Sequence, residues 1–291
     1  MKIVFPELIE NPVAREAATH FPDIDWLTAD NLDSAVEMVK SGVADSMVSG
    51  LDYSSRDVVV AFKNHLPLAS NYFSSCFICE HPTDDTHLTL ADGGINKQPT
   101  AEQLYTIVED TAITHTDYFG ESPRIAMLSY STYGSGGKNP DLDKIHTVIE
   151  KIRDHHPDWT IDGEMQLDAA TRPEVAAKKI PDSPLRGTAN ILITPDLNSG
   201  NILYKSLEHF GGFTIAGPII QGFKMPLADL SRGSTVADVK LTIDVIRMLL
   251  SRDHTRQRNE ASESRACSGF RARQRCLENP RQRERNERGA P

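Results

Sequence analysis

The sequence predicts an α/β protein built on a mainly parallel sheet with helices on both faces. Two observations carry this: short apolar runs alternate with longer amphipathic stretches, and the segments after the runs concentrate Gly, Ser, Asn and Asp. In order, Lys2–Phe5 leads to Pro12–His20, Ser46–Ser49 to Ser54–Asn64, Arg124–Leu128 to Asp141–His155, and Ile191–Thr194 to Ser199–Phe210, with Thr214–Ala216 as a further strand. Each pair reads as one βαβ step, and in such folds ligands meet the loops beyond the C-terminal ends of the strands. Those loops are Asp92-Gly93-Gly94, Ser129–Lys138, Pro195–Asn201 and Gly217–Gly222. A last helix follows Gly233, where Val239, Ile243, Ile246, Met248, Leu249 and Leu250 give an apolar face of helical period.

Over 291 residues, 39% hydrophobic and 25% charged content describes an ordinary globular chain, large enough for one big domain or two small ones. The net charge of −10 conceals an asymmetry, because residues 252–291 hold 11 Arg and 6 acids, leaving 20 basic and 35 acidic residues in the body. A body so acidic repels nucleic acid and anionic membrane, so neither is expected as a partner. An anionic substrate would have to be held by a few local cations, which makes each body arginine a candidate. No run approaches the ~20 apolar residues of a membrane span, and Met1–Glu7 does not resemble a signal-peptide core, so a cytoplasmic protein is expected. Four cysteines are too few for a disulfide scaffold, and Cys76-Phe77-Ile78-Cys79 reads as two small buried side chains in or near a strand. From Arg252 onward there is no Lys and little large apolar content, which predicts a disordered tail.

The densest chemistry lies in Asp229-Leu230-Ser231-Arg232-Gly233-Ser234, followed by Asp238 at the start of the last helix. A helix N-terminus offers unpaired N–H groups and the positive end of a dipole, and Arg232 beside it reinforces a place for phosphate. Asp238 has a second reading: three residues after Thr235, it fits a capping box with Asp in the usual place of Glu, at about 1 kcal/mol. After the strand Arg124–Leu128, the hydroxyls and glycines of Ser129–Lys138 would make an anion nest or a plain surface loop. That loop has neither Walker nor G-x-G-x-x-G spacing, so nucleotide hydrolysis and dinucleotide binding are poorly supported. Ile191–Asn201 is a buried strand emptying into a helix start, where Asp196 or Asn198 suits the cap and Asn198 and Asn201 stand as binding candidates. In Asp162-Gly163-Glu164-Met165-Gln166-Leu167-Asp168 the acids alternate along a strand and read as one solvated face.

Taken together, the chain resembles the phosphate acetyltransferase and phosphate butyryltransferase family over nearly all of residues 1–251. The resemblance rests on ordered phrases: Lys2–Glu7, Ala91–Asn96 with Pro99–Leu104, Ala126–Thr132, Asp162–Ala170, Pro195–Asn201, Gly217–Gly222 and Asp229–Gly233, the last closer to acetyl than butyryl members. It implies two α/β/α lobes, similar to isopropylmalate dehydrogenase, with the active cleft between them. Residues 1–66 plus 227–251 would form the first lobe and 67–226 the second. The implied activity is acetyl-CoA plus phosphate giving acetyl phosphate plus coenzyme A, with coenzyme A as substrate, no metal or redox cofactor, and a homodimer. Mapped onto this sequence, Ser231, Arg232 and Asp238 fall on catalytic positions, and Arg56, Ser129, Ser131, Thr132, Gly134, Ser135, Lys138, Asn198 and Asn201 are the substrate-binding candidates.

The chain departs from the family pattern in several places. The stretch between Asp30 and Gly42 is much shorter, omitting a segment that normally contributes an arginine. Tyr133 stands in the family's Ser-Thr-Lys-Gly phrase, leaving Lys138 as a displaced cation, and Ser234 replaces a cysteine. Val60 stands where the family has a later arginine, with Arg56 one helical turn earlier on the same face. The alternative function is a non-catalytic acetyl-CoA-binding regulatory lobe. A nicotinamide-dependent dehydrogenase of similar form is disfavoured by the missing dinucleotide fingerprint.

Overall fold

Alternation along the strands decides the architecture. In the computed structural model, which describes residues 1–252, residues 1–250 form one compact unit. Its first part comprises β1 (Lys2–Val4), α1 (Pro12–Ala18), β2 (Asp25–Leu27), α2 (Leu32–Lys40), β3 (Ser46–Ser49) and α3 (Ser55–His65). Next come β4 (Ser74–Glu80), β5 (His87–Ala91), α4 (Ala101–Phe119), β6 (Arg124–Leu128), α5 (Pro140–His155) and β7 (Thr160–Met165). The chain continues through α6 (Leu167–Thr171), α7 (Pro173–Lys179), β8 (Ile191–Ile193), α8 (Leu197–His209), β9 (Thr214–Gln221) and β10 (Leu227–Asp229), and a helix, α9, spans 236–252. Side-chain oxygens start the helices: Asn11, Ser54 and Asp196 accept from backbone N–H groups in the first turns of α1, α3 and α8, and of the two candidates read for α8, Asp196 is the cap. The arginine-rich tail from residue 253 lies outside the described residues.

The strands join in one ten-stranded sheet of order β2-β1-β3-β10-β9-β4-β5-β8-β6-β7. It is mainly parallel, and the three antiparallel pairs, β10–β9, β9–β4 and β4–β5, sit together in the middle. Strands from 1–49 and 227–229 occupy one side and those from 74–221 the other, joined where Leu227 and Ala228 pair with Ile220 and Ile219. The hairpin β4–β5 and the pair β2–α2 are further elements beyond the strand–helix steps read from the sequence.

Because successive side chains point to opposite faces, each strand feeds two cores. Ile3, Val48, Ala228, Ile219, Cys76, Ile125 and Ile193 join helix residues such as Leu104, Ile149, Ile243 and Ile246 in one continuous cluster beneath α1, α4, α5 and α9. On the other face the apolar residues divide. Val4, Met47, Phe62 and Leu227 form one cluster with α2 and α3, whereas Phe77, Leu90, Leu128, Leu192 and Tyr204 form another with α6, α7 and α8. Strand β9 supplies Ile220 to the first and Ile215 to the second. Two separate clusters therefore cover this face of the sheet.

Candidate active site

One candidate group is built where β3 and β10, paired in parallel, both end. Leu230 N–H donates to Ser49 O at 2.6 Å, so the Ser231–Arg232 loop starts against the turn at Gly50. Gly50 has φ +119°, and a Cβ there would lie 2.4 Å from Leu230 O and 2.6 Å from Asp229 Oδ1, so only glycine fits. Two buried carboxylates flank it. Glu7 Oε1 accepts from Gly50 N–H at 2.7 Å and Ser49 Oγ at 3.1 Å, while Glu7 Oε2 and Asp229 Oδ1 have no hydrogen-bond partner. Burial pushes Asp229 up to about 7, opposed by a hydrogen bond from Ser55 and reinforced by the charge of Glu7. Glu7 is raised for the same reason, against its hydrogen bonds from Gly50 and Ser49. Ser55 begins α3, and Arg56 follows it in the first turn. Arg232 and Arg56 are exposed and make no ion pair or hydrogen bond among the described residues, and Ser231 Oγ accepts only a 3.3 Å bond from Gly233 N–H.

A pH dependence follows. The native protein keeps a proton on Asp229 up to about pH 7, whereas the unfolded chain loses it near the ordinary value of 3.8. The folded state therefore binds more protons in that window, and stability falls as pH rises through it. Asp229→Asn is expected to flatten that slope, leaving the variant relatively more stable at pH 8 than at pH 4; denaturant melts at both pH values check this.

Asp238 is 5% exposed at the foot of the same loop. Its Oδ2 accepts from Thr235 N–H at 2.8 Å and Thr235 Oγ at 2.6 Å, and its Oδ1 accepts from Ile215 N–H of β9 at 3.0 Å. Thr235 Oγ in turn accepts from Asp238 N–H at 3.3 Å, which completes the capping box. A carboxylate has about four acceptor positions, so the cap and β9 leave one for a proton donor.

A second candidate group is made by the loops after β5, β6 and β8, strands that run opposite to β10 in the sheet. Asp92, 4% exposed, gathers the first: its Oδ1 accepts from Gly94 and Ile95 N–H and its Oδ2 from Asn96 N–H. Ile95 of this loop packs against the cluster that holds Val4, Met47, Phe62, Ile220, Phe223 and Leu227. Asn201 Nδ2 donates to Gly93 O at 3.2 Å, and Leu197 N–H donates to Lys97 O at 3.1 Å, joining the β8 loop to the β5 loop. Between them and the β6 loop lies a pocket of about 210 Å³, lined by Gln98, Ser129, Tyr130, Lys144, Asp196 and Ser199 among others. Asn198 and Lys138 are exposed and without a bonded partner among the described residues.

The nest at Ser129–Lys138 is present, and a carboxylate of the protein fills it. Glu164, fully buried on β7, accepts at Oε1 from Ser131 Oγ and Gly134 N–H, both at 2.7 Å, and its Oε2 lies 2.5 Å from His146 Nε2. Burial pulls Glu164 upward, but the bonds from Ser131, Gly134 and His146 outweigh it and hold the carboxyl below its ordinary value. Thr132 N–H donates to Ser135 Oγ, and Thr132 Oγ accepts from Gln166 N–H. The reading of Asp162 and Glu164 as a solvated face is thus corrected. Both are buried, Asp162 held by Arg153, Ser183 and the hydroxyl of Tyr133, because charged partners outside the strand satisfy them. Tyr133, in the place of the family's lysine, turns toward Asp162 and supplies no cation. Sequence reasoning placed Glu7 and Asp229 within its phrases without giving either a role, and it passed over His146, which no period or motif marks.

An α/β sheet that carries an unpaired arginine and a serine at the end of β10, and hydroxyl-rich loops after β5, β6 and β8, holds groups suited to a small anion and an acyl donor. Residues 2–246 match the family described as phosphate acetyl/butaryl transferase, and the chain belongs to that family. It is 40% identical over 223 residues to a phosphate acetyltransferase of Thermoanaerobacterium thermosaccharolyticum, covering 75% of this chain and 67% of that protein. A phosphate acetyltransferase of Treponema pallidum is 38% identical over 221 residues, covering 72% and 65%. The chain thus spans about two thirds of the length of these relatives. A crystal structure of a phosphotransacetylase from Streptococcus pyogenes superposes with a TM-score of 0.77 at 31% identity, covering 87% of this chain and 94% of that one. No helix among the described residues is long and apolar enough to cross a membrane.

Proposed function

We propose that this chain catalyses reversible acetyl transfer, acetyl-CoA plus phosphate giving acetyl phosphate plus coenzyme A. The observation that carries the reading is Arg232, an unpaired guanidinium beside Ser231 on the family's Asp-Leu-Ser-Arg-Gly loop. A guanidinium presents two parallel N–H donors to a phosphate and neutralises it. In the direction that forms the thioester, the coenzyme A sulfur bonds to the acetyl carbon, the bond from that carbon to the phosphate oxygen breaks, and phosphate leaves on Arg232. The thiol proton goes to Asp238. A thiol near 8.5 and a carboxylate near 3.9 differ by about 4.6 pH units, or about 6 kcal/mol, so proton loss accompanies attack and does not precede it. Ser231 Oγ–H donates to the carbonyl oxygen as it gains charge. No oxidation state changes, so the reaction as written uses coenzyme A as a substrate and calls for no metal or redox cofactor.

Arg56 and Lys138 supply cations for the phosphates of coenzyme A, the pocket beside Ser129 and Tyr130 accommodates part of that molecule, and Ser135, Asn198 and Asn201 add polar contacts to it. Arg56→Ala is expected to raise the KM for coenzyme A or phosphate several-fold with kcat little changed; initial rates at varied concentration of each substrate check it. A cytoplasmic homodimer is the setting we adopt. Exposed Ile202 and Phe210 at α8 support self-association. The functional reading is tested by incubating purified protein with acetyl-CoA and following free thiol. Release that requires phosphate supports it, and saturable acetyl-CoA binding without turnover overturns it in favour of a regulatory binding lobe.

A further inference from the structure

The serine-rich loop after β6 is arranged around an anion that is already part of the protein. Ser131 is fully buried, and its hydroxyl both donates to Glu164 Oε1 and accepts from Gly136 N–H at 2.8 Å, so one side chain ties the carboxylate to the far end of the loop. Gly134 N–H donates to the same oxygen, and Tyr133 N–H donates to Glu164 O at 3.1 Å. His146 of α5, about half exposed, is the group that connects this carboxylate to solvent. The other acid on β7, Asp162, is held separately by Arg153 of α5, by Ser183 and by Tyr133, and Asp168 after β7 pairs with Lys179.

We propose that Glu164 is a positioning residue that occupies the anion nest of residues 129–136, with His146 as its hydrogen-bond partner on the solvent side, so that the substrate loop is ordered before any substrate arrives. Backbone N–H groups and hydroxyls that converge on a point stabilise whatever negative charge sits there. Glu164 is ionised under these bonds, so the charge is in place without a ligand. Two consequences follow. The pocket beside Ser129 and Tyr130 has a fixed wall in the free protein, and the nest is closed to substrate phosphate, which leaves phosphate selection to Arg232, Arg56 and Lys138.

The kinetic arm of the test rests on the proposed acetyl transfer; hydrogen exchange does not. On the purified full chain, exchange of the 129–138 segment is followed by mass spectrometry for wild type, Glu164→Gln and His146→Gln, with and without inorganic phosphate. Wild type is expected to protect Gly134 and Gly136 N–H without ligand and to show no change with phosphate. Loss of a hydrogen bond to a charged group is expected to lower that protection by about tenfold in Glu164→Gln, with a smaller loss in His146→Gln. Inorganic phosphate should restore part of the protection in Glu164→Gln, where the nest has lost its charge. In the kinetic arm, the same variants should raise the KM for coenzyme A by about tenfold, with kcat within about threefold, because the reacting groups on the Ser231–Arg232 loop are untouched. Exchange and KM equal to wild type in both variants overturn the proposal, and so does phosphate protecting the wild-type loop. If Glu164→Gln fails to fold, His146→Gln, altered at a half-exposed side chain, decides by the same two readouts. Wild-type protein that protects the loop as expected yet releases no thiol would contradict the functional reading and leave the positioning role standing.

Discussion

Arg232→Lys is expected to lower kcat/KM by about 10²-fold or more while leaving the melting temperature unchanged. The two halves of that expectation have separate causes. The fold does not depend on the guanidinium, which is exposed and bonded to nothing among the described residues, so lysine takes its place without leaving a partner unpaired. The chemistry does depend on it, because lysine keeps the charge but loses the planar fork that grips two phosphate oxygens at once. Steady-state kinetics alongside a thermal melt check both. Unchanged kinetics would reduce Arg232 to a surface cation on an acidic body.

Asp238→Asn is expected to lower turnover by roughly 10²-fold or more, the scale for losing a general base. It also carries a stability cost that capping alone does not convey. The two carboxylate oxygens accept from two different backbone N–H groups, Thr235 on one side and Ile215 on the other. An asparagine must turn its NH₂ toward one of them, so a buried donor loses its acceptor, at about 1–3 kcal/mol. The control is Thr235→Ala. It removes the hydroxyl side of the capping box and costs about 1 kcal/mol, but leaves the carboxylate with its backbone donors and a free acceptor position. Near-wild-type turnover in Thr235→Ala with a large loss in folded Asp238→Asn assigns the proton to Asp238. Equal, small losses in both would leave Asp238 as a helix cap and no more.

Much of the fold was legible because its signals are local. Strand and helix alternate through β1–α1, β3–α3, β6–α5 and β8–α8 at the places where apolar runs give way to amphipathic ones. Asn11, Ser54 and Asp196 mark helix starts by hydrogen bonds a few residues long. The antiparallel centre was not legible. The β4–β9 pairing joins residues more than a hundred positions apart, and no period in either strand encodes its partner. The same distance effect governs the site. Ser231 and Arg232 stand out within six residues of sequence, whereas the occupant of the nest, Glu164, lies some thirty residues beyond Ser131 and looks from the sequence like a solvated acid. Asp229 is unusual for its surroundings, not its identity: packed on Gly50 and close to Glu7, it holds its proton where an exposed aspartate would not.

The central claim, that this chain moves an acetyl group between a thiol and a phosphate, is tested most directly by ³¹P NMR of purified protein with acetyl-CoA and inorganic phosphate, with free thiol measured on the same sample. The account predicts a growing acetyl phosphate signal, loss of inorganic phosphate, and one free coenzyme A thiol for each acetyl phosphate formed. Thiol released without acetyl phosphate, at a rate indifferent to phosphate, would mean that water is the acceptor and would contradict the account.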